Sequence, residues 1–399
     1  MEEKKQTAGT EIRGTGRSTL IRQIISAAVL AILFAGYALT FLVPKFYGMT
    51  DAYVGVFVFF MLLILLAVNA DVITRLKNKE KDLFLLLFLL VLTLINILIV
   101  HSGKGAFFVL ADFLLIIYLS DKLILGKKQI LWIAGAYFAL LFIWLLFVYP
   151  KMFAEYGFYG YNTNTAATFT IYTLLCAFLF VQCFTARFEF AGFFSVLLIV
   201  RGVQLAMYHR ARGAFIMLGV FLLLYYLLPG KWWLKKGVFR LLYLFATLGS
   251  LLFVAFYTLA GTTGVNYRLP FFYKEVFSGR EEIWKEFFLL FLQKPLTGIG
   301  TNVQISSFFE FNVHNAMYNI LVVYGLIAFI GTLALLYPKL EKMRLKALSD
   351  KTAYCALCIL LAVFFESFFD VDLLWVDYAL NLLSVLLVVN HEQDQISGK

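Results

Sequence analysis

The stretch LFLLLFLLVLTLINILIV, Leu83 to Val100, carries no charge, and Thr93 and Asn96 are its only polar residues. A run of that length crosses the roughly 30 Å hydrocarbon layer of a bilayer as a helix. Its apolar residues are continuous rather than alternating, which excludes a barrel strand. The same texture recurs on both sides, and about twelve spans are predicted: 22–43, 53–70, 83–100, 105–119, 129–148, 166–185, 189–206, 213–229, 237–260, 315–337, 353–369 and 373–390. The fourth is short and the seventh contains Arg201. With 62% hydrophobic residues, 44 Phe, 22 Tyr and a mean hydropathy of +0.86, a soluble globule is ruled out. The fold class is an all-α polytopic membrane protein.

Basic residues accumulate in cytoplasmic loops, and that bias sets the orientation. One set of loops holds Arg13, Arg17 and Arg22, then Arg75, Lys77, Lys79 and Lys81, then Lys122, Lys127 and Lys128. It continues with Arg187, with Lys231, Lys235, Lys236 and Arg240, and with Lys339, Lys342, Arg344, Lys346 and Lys351. Both termini are therefore expected in the cytoplasm, as a disordered tail over 1–21 and a short tail over 391–399. Spans one to nine fill 22–260, spans ten to twelve fill 314–390, and the segment 261–313 lies outside. The formal charge of +10 reflects this asymmetry and calls for no nucleic acid. Four cysteines, Cys176, Cys183, Cys355 and Cys358, fall within spans; the Cys355–Cys358 spacing suits redox or zinc chemistry, but without a second ligand pair nearby it reads as packing.

Charge is concentrated in the external segment. Ser278-Gly279-Arg280-Glu281 has the form of a capping box, so a helix is predicted over 279–293. Ile283, Trp284, Phe287, Phe288 and Phe291 recur on one face and Glu281, Glu282, Lys285 and Glu286 on the other, as in an interfacial amphipathic helix with Trp284 at headgroup depth. Arg280 falls in the first turn, where backbone N–H groups already favour an anion, and so suits a phosphate. The alternative is an amphipathic anchor whose Arg280 meets lipid headgroups. After Lys294-Pro295, Thr297-Gly298-Ile299-Gly300 forms a turn that permits close backbone approach.

Other outer polar residues join this segment. Arg210 and Arg212 stand in a short external turn, with Arg201 two to three turns earlier, and three arginines on one outer vestibule suit a polyanion; snorkelling to headgroups is the competing reading. His314-Asn315 opens span ten, as a titratable candidate or a structural interfacial residue. Asp370 and Asp372, with Glu366 and Asp377 nearby, suit a cation or a sugar but read more simply as helix-end charges. Asn162 to Thr165, including Asn164, offers neutral groups for sugar hydroxyls.

An Arg-Gly turn, then S-G-R-x-x-I-W, then P-L-x-G-x-G, then H-N-x-x-Y at a span start: in this order the chain resembles the O-antigen ligase and polymerase family over about 205–330. The resemblance implies a GT-C-like helical membrane fold and a glycosyltransferase without cofactor or required metal. Arg212, Arg280 and His314 match the family's catalytic arginines and histidine; Arg210, Arg201, Asn315, Asn164 and Tyr318 are the expected substrate contacts. Ala211 stands where members often have Ser, which puts a neighbouring hydrogen bond in doubt. The implied partners are a polyprenyl-diphosphate-linked glycan donor, a sugar acceptor, the bilayer, and a flippase and chain-length regulator of the same pathway.

On this reading the arginines stabilise the leaving diphosphate and His314 takes the acceptor's proton or binds the diphosphate. The compact external loops favour a polymerase of repeat units over a ligase. A flippase for lipid-linked sugars is the competing class, although it needs openings on both faces.

Overall fold

The computed structural model describes residues 2–42, 53–123, 125, 127–147, 163–184, 197, 200–204, 207–264, 267–269, 274–306 and 312–390. The chain begins with α1 (Glu2–Leu42), α2 (Val54–Asn69), α3 (Val72–Lys77), α4 (Lys81–Ile99), α5 (Lys104–Leu119), α6 (Lys127–Phe147) and α7 (Thr163–Phe184). It continues with α8 (Arg212–Leu222, prolonged by a π turn, Leu223–Leu227), α9 (Gly230–Trp233), α10 (Lys236–Gly261) and α11 (Arg280–Phe291). It closes with α12 (Ala316–Ala347), α13 (Lys351–Glu366) and α14 (Ala379–Asn390). A two-residue antiparallel ladder, β1 (Arg268–Leu269) with β2 (Lys274–Glu275), is a small departure from an all-helical chain.

Among the described residues, four helical segments are long and apolar enough to cross a membrane: Thr19–Leu39, Lys81–Ile99, Lys236–Gly261 and Ala316–Ala347. Val54–Asn69, Gly105–Leu119, Ala167–Val181, Arg212–Leu227 and Ala379–Val388 are shorter apolar helices. The stretch read as a disordered tail instead belongs to α1, where no proline interrupts the chain from Glu2 to Leu42. The last span begins later than read, because residues 367–375 form a turn and the chain makes a 3₁₀ turn at Val376–Tyr378 before α14. Span 189–206 lies largely outside the described residues, as do Asn162 and the tail 391–399.

At the centre is α13, in contact with α7, α8, α10, α12 and α14. Every side chain from Cys355 to Val363 is at most 1% exposed, as befits a helix that is apolar all round. Cys355, Cys358 and Cys176 are buried free thiols, in keeping with packing.

The helix α12 is broken. Gly325 has φ 86° and ψ 170°, which interrupts the helical hydrogen bonds and frees carbonyls that membrane depth cannot leave bare. The turn after Pro295 satisfies them: Ile299 N–H donates to Val322 O (2.9 Å) and Gly300 N–H to Val323 O (3.1 Å), while Leu326 N–H donates back to Pro295 O (2.9 Å). Asn96, one of the two polar residues of the opening stretch, donates its amide to Tyr324 O (3.0 Å). The predicted close approach is thus made. A Cβ on Gly298 (φ 76°) would strike the backbone of Val323, and one on Gly325 that of Leu296. Gly298→Ala and Gly325→Ala are each expected to cost roughly 1–3 kcal/mol, from backbone strain alone. A thermal midpoint in detergent equal to the parent's would contradict the contact.

Loops assigned to one side by their charge meet at one end of the bundle. Lys122 lies 3.4 Å from Asp82, and Lys339 and Lys342 both bind Asp121, the latter at 3.2 Å. The helix α12 leads from there to the opposite end, where residues 312–315 precede its first turn.

Candidate functional site

The site is built where α11 and the start of α12 meet the turn 367–375. The predicted helix is present, but Gly279, with φ 85°, occupies its N-cap and no side-chain cap bond forms, so Ser278 does not close the box. Ile283, Trp284, Phe287 and Phe291 make its buried face; Phe288, read onto that face, is 50% exposed. Trp284 faces protein and not lipid headgroups. It is 1% exposed, its indole N–H donates to Val313 O (2.7 Å), and its ring packs on Phe253 and Tyr257 of α10. The protein offers that N–H an acceptor and the ring an aromatic bed, so α11 docks on α10 and α12.

Docking carries Arg280 to the turn after α13. Its guanidinium donates to Phe369 O and lies 3.8 Å from Asp370 Oδ2, with the side chain 13% exposed. From the other side, His314 Nδ1 lies 3.5 Å from Asp370 Oδ1. His314 has φ 51°, and its N–H donates to Asn312 Oδ1 (2.8 Å). Two residues predicted separately from sequence therefore meet on one carboxylate.

Asn315 and Tyr318, expected as substrate contacts, are bonded within the protein. Asn315 is fully buried; its Oδ1 caps α12 at Tyr318 N–H (2.9 Å) and accepts from Ser250 Oγ (3.0 Å), while Nδ2 donates to Phe368 O (3.0 Å). Tyr318 donates its hydroxyl to Trp284 O (2.9 Å). Together these bonds fix the backbone on either side of His314.

Arg212 opens α8 and donates to Glu275 O (2.8 Å) and Val276 O (3.1 Å); Tyr257 shares the latter carbonyl at 2.5 Å. It thereby holds the strand that leads into Arg280. Burial lowers its proton affinity, Tyr257 opposes this, and the positive charge of Arg280 lowers it further. Gly213, next to it, lies against Glu366: a Cβ there would be 2.7 Å from Oε1. Arg201 is hydrogen-bonded to Gln204 at 2.6 Å, Arg210 is exposed, and the carbonyl of Asn164 accepts from Thr168.

The acids read as helix-end charges are buried at the centre: Glu366 is 1% exposed, Asp370 6% and Asp372 1%. Their signal was three carboxylates within seven apolar-flanked residues, where water to solvate them is scarce. Burial works against the charge of Asp370, but the hydrogen bond and charge of His314, and then Arg280, hold its carboxyl below the usual range. Burial, followed by the neighbouring Glu366 and Asp370, pushes Asp372 well above that range. Burial and like charge thus set the two apart: Asp370 favours its ionised form and Asp372 its neutral one. Among the described residues no three His, Cys, Asp or Glu side chains are placed to hold a metal ion.

A carboxyl with raised folded-state proton affinity stabilises the fold fully below its unfolded value, about 3.9, and that contribution is lost as pH rises through the folded value. Asp372→Asn keeps the shape and cannot ionise. It is expected to raise the thermal midpoint at pH 8 and to change it little in acid; a lower midpoint at pH 8 would show that ionised Asp372 is needed.

Residues 195–333 match the family model described as O-antigen ligase. The match covers Arg201, Arg210, Arg212, Arg280, His314, Asn315 and Tyr318, and stops short of the 366–372 acids. No curated protein matches the chain.

Proposed function

We propose, from residues 195–333 as an O-antigen ligase family domain, that the chain is a glycosyltransferase moving a polyprenyl-diphosphate-linked glycan onto an acceptor sugar at the outer face of the cytoplasmic membrane. The observation that carries this reading is the meeting of Arg280 and His314 on Asp370, with Arg212 beside Arg280. The acceptor hydroxyl oxygen attacks the anomeric carbon and the bond to the diphosphate oxygen breaks. The hydroxyl proton passes to His314, and Arg280 and Arg212 stabilise the negative charge on the departing diphosphate. Asp370 holds the imidazole by Nδ1, which leaves Nε2 for the proton. Arg280 and the neighbouring Arg212 together offer positive charge to the donor.

Purified protein in detergent, with no gradient, is expected to transfer glycan from a lipid-linked donor; donor binding without transfer would favour a flippase. Compact external loops favour a polymerase, in which the acceptor is another lipid-linked repeat. The description of the matched family favours a ligase, in which it is a lipid, wall or protein acceptor. Cells lacking the protein decide between them: accumulated single repeats indicate polymerase, and long unattached lipid-linked chains indicate ligase.

A further inference from the structure

At the end of the bundle remote from His314, a cavity of about 460 Å³ opens between the start of α4, the end of α5 and the second half of α12. That volume lies within the roughly 300–1,000 Å³ of small-molecule sites. Its walls differ in character. Leu85, Ala334, Leu335 and Pro338 form an apolar wall, and Lys81, Lys339 and Lys342 line it with Glu80, Asp82 and Asp121.

The carboxylates are already matched. Glu80 binds Arg75 (2.5 Å), Asp82 binds Lys122 (3.4 Å), and Asp121 binds both Lys339 and Lys342. Lys81 is exposed and makes no ion pair among the described residues, and Lys342 is 57% exposed despite its contact at 3.2 Å. Three lysines and three carboxylates line the cavity, and Arg75 and Lys122, bound to Glu80 and Asp82 from outside the lining, bring the cations of the surroundings above the carboxylates. The first turn of α4 adds the positive end of a helix dipole at the same place. Lys339 is 8% exposed and held over the ring of Tyr118, so this part of the charge is fixed in position.

We propose that this cavity holds the phosphate headgroup of an anionic phospholipid, with its chains against Leu85, Ala334 and Leu335. An aqueous anion would find no use for the apolar wall, whereas a lipid fills both halves at once. Basic pockets between membrane helices suit this class of ligand. The site is separate from the glycosyl-transfer residues and does not depend on that reading.

The protein is reconstituted in nanodiscs of equal parts phosphatidylglycerol and phosphatidylcholine, released into detergent, and its bound lipids are counted by native mass spectrometry. Retained phosphatidylglycerol is expected in excess over phosphatidylcholine. Lys81→Gln with Lys342→Gln, both exposed positions, should weaken that retention on the order of tenfold. Lys81→Arg with Lys342→Arg should keep it, which separates charge from misfolding. Equal retention in the glutamine variant would overturn the proposal. So would release of the lipid from the parent by millimolar inorganic phosphate, which would make the site one for a free anion.

Discussion

Arg280→Ala is expected to lower transfer by about 10²–10³-fold, the usual cost of removing one donor to charge that develops in the transition state. Sequence alone places this side chain toward water, so that its loss would spare the fold. The structure changes the expectation. Arg280 is 13% exposed, donates to Phe369 O and lies 3.8 Å from Asp370. Its truncation leaves a buried carboxylate with His314 alone, so the variant should also melt earlier than the parent. Arg280→Lys keeps the charge but not the planar fork, and should recover most of the stability and only part of the rate. The two effects separate when transfer is measured well below the melting range of each variant. An alanine variant that transfers at the parental rate there would remove Arg280 from the chemistry. A lysine variant as fast as the parent would mean that positive charge alone suffices and the fork is idle.

The helical bundle was legible because membrane helices announce themselves by length and apolarity, as Leu83 to Val100 does. The pattern is less informative about which neighbour a helix meets. The periodicity of α11 identified Ile283, Trp284, Phe287 and Phe291 as a face, and the same periodicity fits either lipid or protein against that face. That protein covers this face was not legible, because Phe253, Tyr257 and the Val313 carbonyl come from distant parts of the chain. Gly298 was legible as a close approach, whereas its target was not: Gly325 sits in an unbroken apolar run and gives no sign of breaking a helix. At the site, Arg280 and His314 were legible from motif order and first-turn position. Asp370 was not, since acids near a helix end are ordinary, and nothing local says that this turn folds under α11. Asn315, a substrate contact implied by the resemblance, also caps α12, a role that a polar residue ahead of an apolar helix makes legible.

The pairing of His314 with Asp370 allows base and structural roles to be told apart. If His314 takes the acceptor's proton, His314→Ala should abolish transfer and leave donor binding nearly intact, because the arginines supply donor affinity. Acidification should then slow the parent, as a protonated ring has no lone pair to offer. Asp370 acts through that ring, so Asp370→Asn should reduce kcat by roughly 10–100-fold with a small change in KM. A second readout follows from the charge of Asp370. Its carboxyl is held below the usual range in the folded protein, so its contribution to stability is present above the unfolded value of about 3.9 and lost as pH falls through the lower folded value. Asp370→Asn should therefore melt earlier than the parent at neutral pH, and the gap should close in strong acid. A purely structural Asp370 would give the melting gap without the selective loss of kcat. If instead His314 binds diphosphate as a cation, acidification should speed the parent and His314→Ala should lose donor affinity, and the base would have to be sought elsewhere.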